Sequence, residues 1–184
     1  MRASRCHDGL VHYLVFAPHT MVASAACLVA PLAAVPSLRR RDLAGAVRIT
    51  SGVLLVGATL AVLATTLIGT TSPSGQVNLV PGASIEAALS EADYRNAVEN
   101  ALGNVLLFVP LGFLAVLALR RGLATVTALA FGLSVLIEVS QLVLGHRWVD
   151  IDDVLLNTGG AFLGALATIA VTVRRAGPWP RRPG

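Results

Sequence analysis

Most of the polar side chains that interrupt apolar sequence in this chain lie between Glu138 and Gly164. Glu138 and Gln141 sit a helical turn apart inside an apolar run. A short link follows with His146, Arg147, Trp148, Asp150, Asp152 and Asp153, and the next apolar run opens through Asn157, Gly160 and Gly164. Asn104 is the main residue of this kind outside the stretch. A carboxylate within hydrocarbon costs about 2.5–3.5 kcal/mol at the midplane and less near a surface, so Glu138 calls for a partner. Arg147 is the nearby cation of fixed charge. The pair reads either as a structural lock between two helices or as part of a ligand site. Asp150, Asp152 and Asp153 beside Glu138 could offer oxygens to a hard divalent cation. No EF-hand spacing is present, however, and aspartates ahead of a helix also serve as N-caps that complement its dipole. Asp152 or Asp153 is expected to cap the last helix, and no metal or other cofactor is expected. His146 has no partner at metal-ligand spacing, and Trp148 reads as an interfacial anchor. Cys6 and Cys27 form neither a disulfide framework nor a metal motif. No Ser–His or Cys–His pair is evident, so catalytic residues stay unassigned.

The elements that must position these groups are membrane spans. Of 184 residues, 55% are hydrophobic and 13% charged, against about 25% charged in soluble domains. Mean hydropathy is +0.74. Ten-residue alternation of a barrel is absent, so the expected fold is an all-α integral membrane bundle of about five transmembrane helices. A span needs about 20 apolar residues. The first falls within Tyr13 to Val35; Arg2 and Arg5 ahead of it also suit a signal peptide, but the apolar run exceeds the usual h-region, favouring a retained span. The others are expected at about Ile49–Ile68, Leu102–Leu119, Leu123–Leu144 and Val154–Val173. Between them lies one long polar segment, Thr70 to Gly103, whose Ser84–Asn100 portion has helical composition and suits an interfacial or a linker helix. Residues 175–184, rich in Pro and Arg, read as a disordered tail.

Every basic residue is an arginine, and the clusters at 39–41, 120–121 and 174–182 follow the first, third and fifth spans. Placing all three inside satisfies the positive-inside rule and puts the C-terminus in the cytoplasm. The excess of positive charge is therefore topological, and no nucleic-acid partner is expected. This topology brings Asn104, Glu138, Gln141 and Asn157 into one shallow layer near the outer surface. Glu138 lies about six residues, or roughly 9 Å, below the outer end of its helix. Arg147 and the aspartates sit just above. Gly160 and Gly164 form a small-xxx-small face for close helix packing. Pro110 and Gly112 are tolerated breakers that predict a kink in the third span.

Taken together, Asn104-Val-Leu-Leu-Phe-Val-Pro-Leu-Gly-Phe113, Glu138-Val-Ser-Gln141, Arg147-Trp-Val-Asp-Ile-Asp-Asp153 and Asn157-Thr-Gly-Gly160 with Gly164 resemble the VanZ-like family. Asn78-Leu-Val-Pro81 resembles that family's segment between its first two core spans. The match covers about Ile49 to Val173. It implies a VanZ-like membrane domain at 43–174, built on a four-helix core, with residues 1–42 as an added N-terminal region carrying the extra helix. The resemblance implies marked positions at Asn104, Pro110, Gly112, Glu138, Gln141, Arg147, Asp150, Asp153, Asn157 and Gly160. The founding member is associated with resistance to teicoplanin, a lipoglycopeptide acting on cell-wall precursors outside the membrane.

The leading expectation is a multi-pass cell-membrane protein, non-enzymatic, contributing to teicoplanin-type resistance or envelope homeostasis. Asn104, Glu138, Gln141, Arg147, Asp150, Asp153 and Asn157 are its candidate ligand-binding residues, and Pro110, Gly112, Gly160 and Gly164 its helix-packing residues. The partners implied are membrane lipids, a lipid-linked cell-wall intermediate or lipoglycopeptide, and a second helix surface. One alternative is a membrane enzyme acting on a phosphorylated or lipid-linked envelope substrate, with carboxylates as metal ligands or general base. Another is a transporter or scaffold subunit, although no internal repeat is visible.

Overall fold

The computed structural model describes residues 33–67, 77–84, 86, 94–144 and 149–176. The architecture is an all-α bundle of four long helices: α1 (Leu43–Leu67), α2 (Tyr94–Leu119), α3 (Leu123–Leu144) and α4 (Ile151–Ala176). All four are long and apolar enough to cross a membrane. Residues 33–39 form a further helical stretch ahead of α1. The expected first span, apart from its last three positions, lies outside the described residues.

Four boundaries differ from the apolar runs, the starts of α1, α2 and α4 and the end of α4, because capping groups as well as hydropathy set where a helix starts and stops. Arg41 takes a left-handed φ of 57°. Its N–H donates to Leu38 O at 2.9 Å and the Asp42 N–H to Ser37 O at 2.9 Å, the paired bonds that close a helix C-terminus. Asp42 then caps α1, its Oδ1 accepting the Gly45 N–H at 2.8 Å. So α1 starts at Leu43 and Arg48 lies within it, not ahead of it. Residues 94–101 are continuous with α2 rather than separate from it, and α4 runs on to Ala176, two residues into the expected tail.

α2 and α4 make the most extensive contact; α1 packs on α2, and α3 on α4. The α2–α4 seam is a backbone-to-backbone approach. A Cβ at Gly112 would lie 1.9 Å from Ala161 O, at Gly160 2.2 Å from Val105 O, and at Gly164 2.0 Å from Val109 O. Small residues permit this contact where lipid leaves dispersion as the main attraction between helices. Thr168 Oγ1 bridges the seam to Phe113 O at 3.1 Å. Pro110 is exposed and lies inside α2, which continues through it. The core comprises Val62, Phe108, Leu111, Ala130, Ile137 and Ala161. α1 and α3 touch each other little, and an apolar slot of about 150 Å³ lies between α1, α2 and α3.

Among the described residues a short parallel strand pairing lies outside the helices. Val77–Asn78 (β1) and Val149–Asp150 (β2) pair in parallel, Val77 opposite Val149 and Asn78 opposite Asp150. The pairing ties together the links that follow α1 and α3.

Candidate functional site: a polar layer at one end of the bundle

Alternating helix directions bring the C-terminal ends of α1 and α3 and the N-terminal ends of α2 and α4 to one end of the bundle. Hydrogen bonds connect all four there. Gln141 Nε2 of α3 donates to Thr66 O of α1 at 2.8 Å, serving a carbonyl in the last turn that has no intrahelical partner. Asn104 Nδ2 of α2 donates to Asp153 Oδ1 of α4. Glu138 Oε2 of α3 accepts the Asp150 N–H at 3.1 Å. Asn157 Nδ2 of α4 donates to Ser134 Oγ of α3 at 2.9 Å. Glu138 (4% exposed), Gln141 (3%), Asp152 (3%) and Asn157 (4%) are as buried as the apolar core.

The aspartates divide their work. Asp150, not Asp152 or Asp153, caps α4: its Oδ1 accepts the Asp152 N–H at 3.0 Å, the bond expected of a residue just ahead of the first helical position. Asp152 faces away from its own helix end and holds another turn. Its two oxygens accept the N–H groups of Gly82 (2.6 Å) and Ser84 (3.1 Å). The turn they hold is Val80-Pro81-Gly82-Ala83, with the Ala83 N–H donating to Val80 O at 3.2 Å. Proline presets the second residue of such a turn, and the third needs a positive φ, which Gly82 supplies at 85°.

Asn78 and Ser84 complete the strap. Asn78 Nδ2 donates to Ser84 Oγ at 2.9 Å and to Asp150 Oδ1 at 3.1 Å, and its Oδ1 accepts the Val80 N–H at 3.1 Å. Ser84 Oγ in turn donates to Asp150 Oδ2. Segment 77–84 is thus fastened over the start of α4 by charge-assisted bonds, which are about twice as strong as neutral ones.

One acceptor oxygen of the layer contrasts with this. The side-chain oxygens of Asp150 and Asp152 all accept from the protein's own donors. Asn157 Oδ1, by contrast, is buried with no hydrogen-bond partner. A buried acceptor left unmade costs about 1–3 kcal/mol. Among the described residues no three His, Cys, Asp or Glu side chains converge as a metal-holding group.

A family model described as VanZ/LLP1 matches residues 50–172 of the 184. The chain belongs to the VanZ/LLP1 family. Neither a curated protein nor a solved structure matches it. The match begins in α1 and ends in α4, so the VanZ/LLP1 region takes in the polar layer and the glycine seam together. Of the sequence-derived candidates, Asn104, Glu138, Gln141, Asp150, Asp153 and Asn157 meet in the layer. Arg147 lies outside the described residues, with His146 and Trp148. Asn78, Gly82, Ser84 and Ser134 also belong to the layer and were not singled out as site residues from sequence. A Val-Pro-Gly turn signal marked the neighbourhood of the first three; Ser134, a lone serine in an apolar helix, carried no signal.

Proposed function

We propose that this VanZ-family membrane protein acts at the outer face of the cell membrane, where its polar layer holds a lipid-linked envelope ligand and lowers the access of a teicoplanin-type lipoglycopeptide. Orientation follows from the opposite end of the bundle. Arg39, Arg40, Arg41, Arg120 and Arg121 cluster around its helix termini, and α4 ends there with Arg174 and Arg175. Putting that end in the cytoplasm obeys the positive-inside rule and turns the polar layer outward.

The observation that carries the reading is Asn157 Oδ1, an acceptor without a hydrogen-bond partner on a side chain only 4% exposed, in the same layer as the fully engaged carboxylates of Asp150 and Asp152. Burying such a group without a partner is costly, and a ligand hydroxyl or amide N–H would satisfy it. Asn104, Glu138, Gln141, Asp150 and Asp153 are the ligand-binding candidates around it. Gln141 and Asp150 act chiefly by holding the walls, since their side chains bond to the protein. Four carboxylates near the same end favour a donor-rich ligand surface over a bare phosphate.

The test is drug susceptibility in a null strain complemented with wild type, Glu138→Gln or Asn157→Leu at matched membrane levels. Teicoplanin is compared with a non-lipidated glycopeptide. Selective protection by wild type, lost in both variants, supports the proposal. Equal protection by all three chains would remove the polar layer from the function.

A further inference from the structure

Two cations at the arginine end have no role in the polar layer. Arg48 on α1 and Arg120 line a single cleft with Leu43, Ala44, Val47 and Leu117. Arg120 is the left-handed residue that closes α2, with φ 55° and its N–H donating to Val116 O at 3.0 Å. That backbone bond fixes where the side chain starts. Both side chains are exposed, and neither guanidinium has a hydrogen-bond or ion-pair partner among the described residues.

Arg48 also lines a second cleft, which runs between α1 and α2 past Gly52, Leu55, Val56 and Leu119. Leu55 and Leu119 in turn line the apolar slot between α1, α2 and α3, which reaches Thr59 and Leu133. A cationic mouth and an apolar interior therefore adjoin along shared walls. From Arg48 to Thr59 is eleven residues of helix, or about 16 Å. Thr59 adds no free polar group to the slot, because its hydroxyl donates to Leu55 O at 2.9 Å. Asp42 is the one carboxylate among the lining residues; it borders the second cleft only, and its Oδ1 is engaged by the Gly45 N–H.

We propose that this is a binding site for a phospholipid with a net negative headgroup. The phosphate sits between Arg48 and Arg120, and one acyl chain follows α1 inward toward Thr59 and Leu133. A guanidinium presents a planar fork of donors that matches phosphate oxygens, and basic pockets between spans on the cytoplasmic side suit anionic headgroups. The unpaired cations supply charge complementarity, and the slot left by the thin α1–α3 contact supplies room for the chain. The site is at the opposite end from the polar layer, so its test is independent of the reading given above.

The test uses the full chain, purified and offered phosphatidylglycerol or phosphatidylcholine of identical acyl chains, with retained lipid counted by native mass spectrometry. Wild type is expected to retain the anionic lipid preferentially. Arg48→Gln or Arg120→Gln should each lower its retention about fivefold, and the double variant about twenty-five-fold, with Lys substitutions restoring part of it. These side chains are exposed, so their removal leaves the fold intact. Ala115→Phe, which fills the slot, should weaken the long-chain lipid while sparing a short-chain lipid of the same headgroup. Equal retention of the two headgroups, or an unchanged double variant, would overturn the site. So would inorganic phosphate binding as tightly as the lipid, or a cross-link placing residues 1–32 in the slot.

Discussion

Replacing Gly164 by alanine should force α2 away from α4. The added methyl carbon would lie 2.0 Å from Val109 O and 2.9 Å from Phe113 N. Non-bonded carbon contacts are comfortable at about 3.5 Å, so about 1.5 Å of separation must be found. Both obstructing atoms are backbone, and neither can rotate aside. Overpacking of this kind costs about 1–3 kcal/mol. The bond from Thr168 to Phe113 O, one turn further along, is stretched by the same movement and adds about 0.5–1.5 kcal/mol. The expected total is about 1.5–4.5 kcal/mol of lost stability. Gly159→Ala is the matched control on the same helix, because a Cβ there meets nothing within 4 Å. It should be neutral or stabilising by up to about 1 kcal/mol through helix propensity. Reversible unfolding in mixed micelles, followed by helical circular dichroism, reads both. Coincident transitions for the two variants would refute the close α2–α4 seam.

Other consequences are equally direct. Asp152→Asn replaces an acceptor-only carboxylate by an amide that can serve one of the Gly82 and Ser84 N–H groups well and the other poorly; a loss of about 1.5–3 kcal/mol is expected, with faster hydrogen exchange confined to residues 77–86. Gln141→Leu leaves Thr66 O without its donor and should cost about 1 kcal/mol, with faster exchange in the last turn of α1. Asn157→Leu combined with Ser134→Ala removes both members of a buried polar pair and an unfilled acceptor, so stability should stay within about 1 kcal/mol of wild type. The same double variant should lose drug protection, which separates a ligand role for Asn157 from a purely structural one.

Four spans were legible because apolar runs of sufficient length dominate the chain, and the limits of α3 were read to the residue. So was the end of α2 at Leu119; the starts of α1, α2 and α4 were not, since Asp42, Asp150 and the polar first turns of α2 obey capping and propensity rules that hydropathy does not see. The meeting of Asn104, Glu138, Gln141 and Asn157 followed from counting helix directions, which needs no tertiary information. What the aspartates do was not readable. Asp152 looked like a cap for its own helix, yet it holds a turn some 70 positions earlier. That pairing depends on β1 lying against β2, a contact between two-residue strands too short for any periodicity to announce. Ser134 escaped for a similar reason: only the facing Asn157 gives its hydroxyl a role.

The outward position of the polar layer is the hinge of the functional account, and side-specific thiol labelling in intact cells measures it. Val80→Cys, in the exposed turn over the layer, and Arg121→Cys, between α2 and α3 at the other end, are compared in chains with Cys6 and Cys27 replaced by serine. A membrane-impermeant maleimide should label Val80→Cys directly and Arg121→Cys only after permeabilisation. The reverse pattern would place the polar layer in the cytoplasm, away from any ligand a lipoglycopeptide competes for, and contradict the proposed function.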